Sequence, residues 1–216
     1  MRRNFLVCSM IVPAFALSLM AAGFPNPPAE QLAPAGAKKL TLVLAGGCYW
    51  GMQGVFEHVR GVTDTTVGFS GGAKNTAEYE TVSGGKTGHA ESVQIVYDPS
   101  VITYGQLLKI YFSVAHNPTM LNYQENDVGT QYRSEIFYAN ESQKSLAEQY
   151  IKILNASKVF HKPIVTKLEP LKGFYRSDLE AHQHYLDRNP TDGYIVAMDL
   201  PKIADLKKDY PEMYKR

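Results

Sequence analysis

Cys48 stands in Leu40-Thr-Leu-Val-Leu-Ala-Gly-Gly-Cys-Tyr-Trp-Gly51, where an apolar strand passes through paired glycines into the start of a helix. A thiol at a helix N-terminus faces unpaired backbone N–H groups and the positive end of the helix dipole, which favour its charged form. The chemistry on offer is nucleophilic attack. Free cysteine more often serves as a small inert hydrophobe. Here, however, a strand, a glycine turn and a helix with an aromatic pair directly after the thiol form the kind of elbow that presents a nucleophile.

A second candidate is Glu91. In His89-Ala-Glu-Ser-Val-Gln-Ile-Val-Tyr97, strand alternation puts Glu91 on the face of Val93, Ile95 and Tyr97, opposite Ser92 and Gln94. A carboxyl group on an apolar face is desolvated, its charged form is disfavoured, and it stays protonated near neutral pH as a general acid. The alternative is that Glu91 tilts into solvent or pairs with an arginine such as Arg133. The stretch Asn126-Asp-Val-Gly-Thr-Gln-Tyr-Arg-Ser134 places an acid, a phenol and a guanidinium where a loop meets a strand. Such junctions can aim side chains into a cleft. Read blandly, it is a turn with Asp127 as a local cap and Tyr132 as strand packing.

Histidines open other readings. His182 and His184, separated by one residue, point to different faces of a helix, and with His161 and Cys48 they lack metal-site spacing. A Cys-His hydrolase could use Cys48 with His89 or His116, but no orienting Asn or Asp can be assigned and Glu91 goes unexplained. A module that binds without turnover is a third possibility, and the reactive placement of Cys48 and Glu91 argues against it.

The elements that must position these groups follow from periodicity and turn signals. Strand 40–45 leads into a helix carrying Met52, Val55, Phe56 and Val59 at helical spacing and ended by Gly61. Residues 62–69 read as a strand, 76–83 as a short segment bearing Tyr79, and 89–97 as a second clear strand. A capping box, Thr103 with Gln106, opens the next helix, which stops before Asn117-Pro118. A long polar surface loop then runs to Gly129. Strand 134–139, helix 142–155 and strand 164–169 complete a core of helices packed on a largely antiparallel sheet, an α+β arrangement. From Ser177 the chain forms a short helix and a Lys- and Tyr-rich tail expected to wrap the domain.

The balance of 22 basic against 21 acidic residues gives no electrostatic reason to expect nucleic acid as a partner. Met1-Arg-Arg-Asn4 followed by an apolar run to Ala22 reads as a signal peptide, residues 1–23, with cleavage after Gly23 or as late as Ala35. Residues 24–38 read as a Pro/Ala-rich linker, 39–192 as the catalytic domain and 193–216 as the tail. The protein is then periplasmic or secreted, or anchored if the segment stays uncleaved. Removal of the signal also removes Cys8 and leaves Cys48 as the sole cysteine of the mature chain.

Gly46-Gly-Cys-Tyr-Trp-Gly51, Thr87-Gly-His-Ala-Glu91, Tyr97-Asp-Pro99 and Gly129-Thr-Gln-Tyr-Arg-Ser134, in this order and spacing, resemble the A-type peptide methionine sulfoxide reductases. The resemblance runs from about Leu40 to Asp192. It implies a two-layer α/β sandwich with a ferredoxin-like core and a mixed, largely antiparallel sheet. It also implies that Cys48 attacks the sulfur of the S epimer of methionine sulfoxide and is left as a sulfenic acid, while Glu91 protonates the departing oxygen. By the same match Tyr79, Tyr132 and Asp127 hold the oxygen and the acid's hydrogen-bond network, and Tyr49 and Trp50 cradle the methyl group. No bound cofactor or metal is implied, and a monomer is expected.

The chain departs from the pattern in three places. Family members often carry resolving cysteines in the tail, and this chain has none after Cys48. An external thiol, thioredoxin-like protein, glutaredoxin or glutathione, must then meet the sulfenic acid. Tyr49 stands where the family often has Phe, adding a hydroxyl that needs a partner if buried. Tyr123 and Glu125 stand where Arg and Gly are common.

Overall fold

The computed structural model describes residues 23–216. The expected signal segment, residues 1–22, and Cys8 within it lie outside the described residues. In chain order the elements are β1 (Leu40–Ala45), α1 (Tyr49–Glu57), β2 (Val62–Ser70), α2 (Tyr79–Ser83), β3 (Ala90–Tyr97), α3 (Tyr104–Ile110), β4 (Tyr123–Gln124), β5 (Asp127–Val128), β6 (Glu135–Tyr138), α4 (Glu141–Ser157), β7 (Lys167–Pro170), β8 (Phe174–Arg176), α5 (Tyr185–Arg188) and α6 (Leu200–Asp209).

The main sheet has the order β7-β6-β1-β3-β2-β8. Every neighbouring pair is antiparallel except β6 with β7. Its centre, β6-β1-β3-β2, has the order of a ferredoxin-like βαββαβ unit with α1 and α3 as its crossovers, so the expected mixed, largely antiparallel sandwich is the fold observed. Helices cover one face. There Leu42 and Leu44 of β1, Val67 and Phe69 of β2 and Val93 and Ile95 of β3 meet Met52, Val55, Phe56 and Val59 of α1 and Leu107 and Leu108 of α3. Each such side chain stabilises by roughly 1.5–3 kcal/mol on full burial. The opposite face holds a smaller cluster of Val43, Ala45, Ala90 and Phe137.

Local signals account for the helix ends. Thr103 caps α3 in a complete capping box with Gln106, satisfying backbone donors that a helix start leaves open. Asn140 accepts from Gln143 N–H at the start of α4, and Lys158 ends that helix in the left-handed region.

Three expectations change. The segment up to Gly129 is not without structure: β4 and β5 form a hairpin, Tyr123 opposite Val128, that turns through Glu125 at φ 48°. Strand β7 starts at Lys167, later than the expected 164, because Ile164 N–H is spent on Asn155 Oδ1 and Val165 N–H on the Pro118 carbonyl. Residues 24–38 lie against the domain rather than hanging from it. Phe24 packs edge-on against Phe160, Pro25 accepts from the Tyr150 hydroxyl at 2.7 Å, and Glu30 accepts from Gly105 N–H. At the other end, α6 buries Leu206 against the core, and Val59 bridges to Tyr214. No described helix is long and apolar enough to cross a membrane.

Candidate active site

The turn before Cys48 needs both of its glycines. A Cβ on Gly46 would lie 2.7 Å from the His116 ring, and one on Gly47, at φ +95°, would lie 2.9 Å from Gln124. Gly47 N–H also donates to the Tyr132 carbonyl at 3.2 Å, tying this turn to the stretch before β6. Cys48 is then the N-cap of α1, part-buried. The helix N-terminus is one of several influences on this thiol. The Trp50 N–H favours the charged form, but desolvation and the nearby Glu91 carboxyl outweigh it and push the thiol well above its ordinary pKa.

Glu91 lies on the helix-covered face of β3 and is 3% exposed. Its Oε2 accepts from Tyr49 N–H, the first helical amide of α1, at 3.1 Å. That bond favours the carboxylate, yet desolvation dominates and Asp127 adds to it, so the pKa is pushed up to about 8. Arg133 is not its partner. That guanidinium pairs with Glu135 at 2.6 Å and donates to the carbonyls of Gly88, His89 and Thr130.

Tyr79 at the start of α2 and Tyr132 ahead of β6 are both half-buried. Both phenols are raised by desolvation and by the charges of Glu91 and Cys48, so each stays a hydrogen-bond donor. Asp127, in the β4-β5 hairpin, accepts from the Tyr194 hydroxyl. The structure thus brings Cys48, Glu91, Tyr79, Tyr132 and Asp127 together.

Trp50 stacks on Tyr185 at 3.9 Å and 12°, with Tyr194 at its edge. Tyr49, expected beside Trp50 as a wall of the pocket, is 1% exposed and lies behind it against Phe69. A cavity of about 520 Å³ opens beside Cys48, lined in part by Gly47, Gln124, Asp127, Tyr194 and Lys202.

Several residues here escaped the sequence reading. Tyr194 and the pair Asp199–Lys202, 3.0 Å apart, come from beyond the boundary drawn at 192, so that boundary does not separate site from tail. Asp199 is fully buried over Gly51, where a Cβ would meet its Oδ1 at 2.0 Å. Burial raises its pKa against the pull of Lys202. No local pattern marks these residues, because their role comes from the fold.

The histidines take other partners. His89 bonds Gly72 N–H and the Ala73 carbonyl, and His116 bonds the Tyr111 carbonyl and Ser134 Oγ, so each spends both ring nitrogens away from Cys48. His184 pairs with Glu57, while His182 meets the Tyr49 hydroxyl.

Fold and site set a cysteine thiol and a buried carboxyl group at one helix start on a ferredoxin-like sandwich. The sequence profile of the family described as "Peptide methionine sulfoxide reductase" matches residues 40–213, and the chain belongs to that family of oxidoreductases. It is 57% identical to peptide methionine sulfoxide reductase MsrA 2 of Mesorhizobium japonicum over 174 residues, covering 81% of this chain and 89% of that one. The MsrA 2 of Synechocystis is 47% identical, covering 80% of each. Among solved structures, methionine sulfoxide reductase A of Corynebacterium diphtheriae superposes with a TM-score of 0.61 at 34% identity, covering 78% of this chain and 87% of its own.

Proposed function

We propose that the protein reduces the S epimer of methionine sulfoxide, in proteins and as the free amino acid, with Cys48 as nucleophile and Glu91 as acid. The observation that carries this is Glu91: buried, neutral below about pH 8 and bonded to the first turn of the helix that presents the thiol.

A sulfoxide oxygen leaves poorly until it is protonated. Cys48 Sγ attacks the substrate sulfur, Glu91 gives its proton to the oxygen, and the thiol proton returns the acid to its neutral form. The oxygen ends on Cys48 as a sulfenic acid, so the cysteine is oxidised and the substrate reduced to methionine. Tyr79 and Tyr132, both held protonated, serve as donors to the oxygen. Asp127 orients this network through Tyr194. Trp50, clamped by Tyr185, offers the apolar wall for the methyl group.

With no cysteine after Cys48, an external thiol attacks the sulfenic sulfur and releases water, and a second thiol then attacks the external sulfur of this mixed disulfide, forming an external disulfide and releasing Cys48 as a thiol. A thioredoxin-like protein, glutaredoxin or glutathione has the required chemistry. Export to the periplasm or medium fits the N-terminal pattern. Cleavage after Gly23 fits better than after Ala35, since the later cut removes the docked Phe24, Pro25 and Glu30.

The deciding experiment is a single turnover without reductant, with each epimer, counting methionine and remaining thiol. One methionine per enzyme from the S form, with loss of the Cys48 thiol, is expected. Cys48→Ser yields none, and Glu91→Gln slows the step by roughly two to four orders of magnitude. Wild-type speed in the Gln variant removes Glu91 from its role, and no methionine from either epimer removes the reductase reading.

A further inference from the structure

Tyr49 opens α1, and its hydroxyl, absent from a phenylalanine, lies 2.6 Å from His182 Nδ1. His182 ends the single helical turn Glu180–His182. That turn is anchored independently: the Gln183 side chain bonds both Val67 N–H and the Val67 carbonyl, and His184 N–H donates to Gln53. The anchors fix the backbone of the turn but leave the imidazole free to rotate about its own side-chain bonds. Only the Tyr49 contact holds the ring by a hydrogen bond among those the described residues make to it.

The imidazole stands edge-on to Trp50 at 5.2 Å and 85°, and edge-on to Tyr79 at 4.5 Å and 87°. One ring therefore abuts both the apolar wall and a phenol that faces the oxygen. Burial lowers the His182 pKa and raises that of Tyr49, which keeps the imidazole neutral and the phenol protonated. A neutral imidazole can present Nδ1 as an acceptor, and a protonated phenol can donate, so we assign the phenol as donor to Nδ1.

We propose that Tyr49 and His182 are a positioning pair: the buried hydroxyl locks the imidazole between Trp50 and Tyr79 and so sets the width of the cleft that receives the methyl sulfoxide group. The proposal rests on the reading that Trp50 and Tyr79 face the substrate. Neither Tyr49 nor His182 touches the reacting atoms. Tyr49→Phe keeps the ring and its packing on Phe69 but frees the imidazole, and the cleft loses its fixed width.

Trp50 is the sole tryptophan of the chain, so its fluorescence reports on this cleft without reference to turnover. The test compares wild type, Tyr49→Phe, His182→Asn, His182→Phe and the double variant Tyr49→Phe/His182→Phe. Readouts are KM and kcat for S-methionine sulfoxide with excess dithiothreitol, and acrylamide quenching of Trp50. Losing one buried hydrogen bond should raise KM about three- to tenfold in Tyr49→Phe, with kcat within about twofold. Trp50 should become more quenchable. His182→Asn, which can still accept near the Nδ1 position, should stay closer to wild type than His182→Phe. The double variant should be no worse than His182→Phe alone, since the two residues act as one unit. Wild-type KM and wild-type quenching in Tyr49→Phe, or effects that add in the double variant, would overturn the pair. Changed quenching in a protein that reduces neither epimer would count against the reductase reading and for the pair.

Discussion

Replacing Glu91 by Gln tests whether a neutral buried acid is built into the fold. The unfolded chain ionises Glu91 near its ordinary value of 4.5, whereas the folded protein holds the proton up to about 8. Between those values the native state binds more protons than the unfolded state, so this group makes stability fall as pH rises. Below the ordinary value both states are protonated and the group contributes no penalty; above about 8 the penalty is complete. The slope is about 1.4 kcal/mol per pH unit, which gives about 3 kcal/mol between about pH 5 and about pH 7 as an upper value. The Gln side chain can still accept from Tyr49 N–H and has no proton to lose. Other titrating groups, among them Glu135 with a pKa pushed up to about 7, are common to both proteins and cancel in the difference. Urea unfolding of wild type and Glu91→Gln across this range therefore gives the difference directly. Wild type should lose up to about 3 kcal/mol relative to the variant as pH rises. Parallel curves, within about 0.5 kcal/mol, would mean that folded Glu91 is already ionised at low pH, and the desolvation argument for a general acid would fail with it.

Arg133→Met should destabilise by about 3–5 kcal/mol, because Glu135 is left buried without its partner and the Gly88, His89 and Thr130 carbonyls lose a donor. Chemical denaturation measures this, and a loss under about 1 kcal/mol would show the pair to be expendable. Gly47→Ala should cost about 1–3 kcal/mol and slow the single turnover, since a Cβ is strained at φ +95° and presses on Gln124. Normal melting and normal rate would show that the turn adapts. A chain beginning at residue 36 should melt below one beginning at residue 24, having lost about 2–3 kcal/mol from the Phe24 packing and the Tyr150–Pro25 hydrogen bond. Equal melting temperatures would assign the docked segment no stabilising part.

What was legible in the sequence follows the range of the forces involved. The elbow around Cys48, the capping box of α3 and the face carried by Glu91 depend on residues within a few positions of each other, where strand alternation and capping chemistry act directly. Strand β7 and the hairpin β4-β5 depend on partners elsewhere: the Pro118 carbonyl takes Val165 N–H, and Tyr123 finds Val128 only once the chain turns at Glu125. The balance of influences on Cys48 divides in the same way. Its helix N-terminus is local and favours the thiolate, while the desolvating shell and Glu91 are brought by other elements and carry more weight. Tyr194, His182 and Asp199 form the same kind of case. Each reaches the site across more than a hundred residues from the α1 start or from a loop that no pattern links to it, except Tyr194, which is 67 residues from Asp127. A hydroxyl on Tyr49 could be seen to need a partner, but only the packed turn Glu180–His182 supplies one. Local residues therefore specify which atoms can react, and distant ones decide which of them hold a proton before substrate arrives.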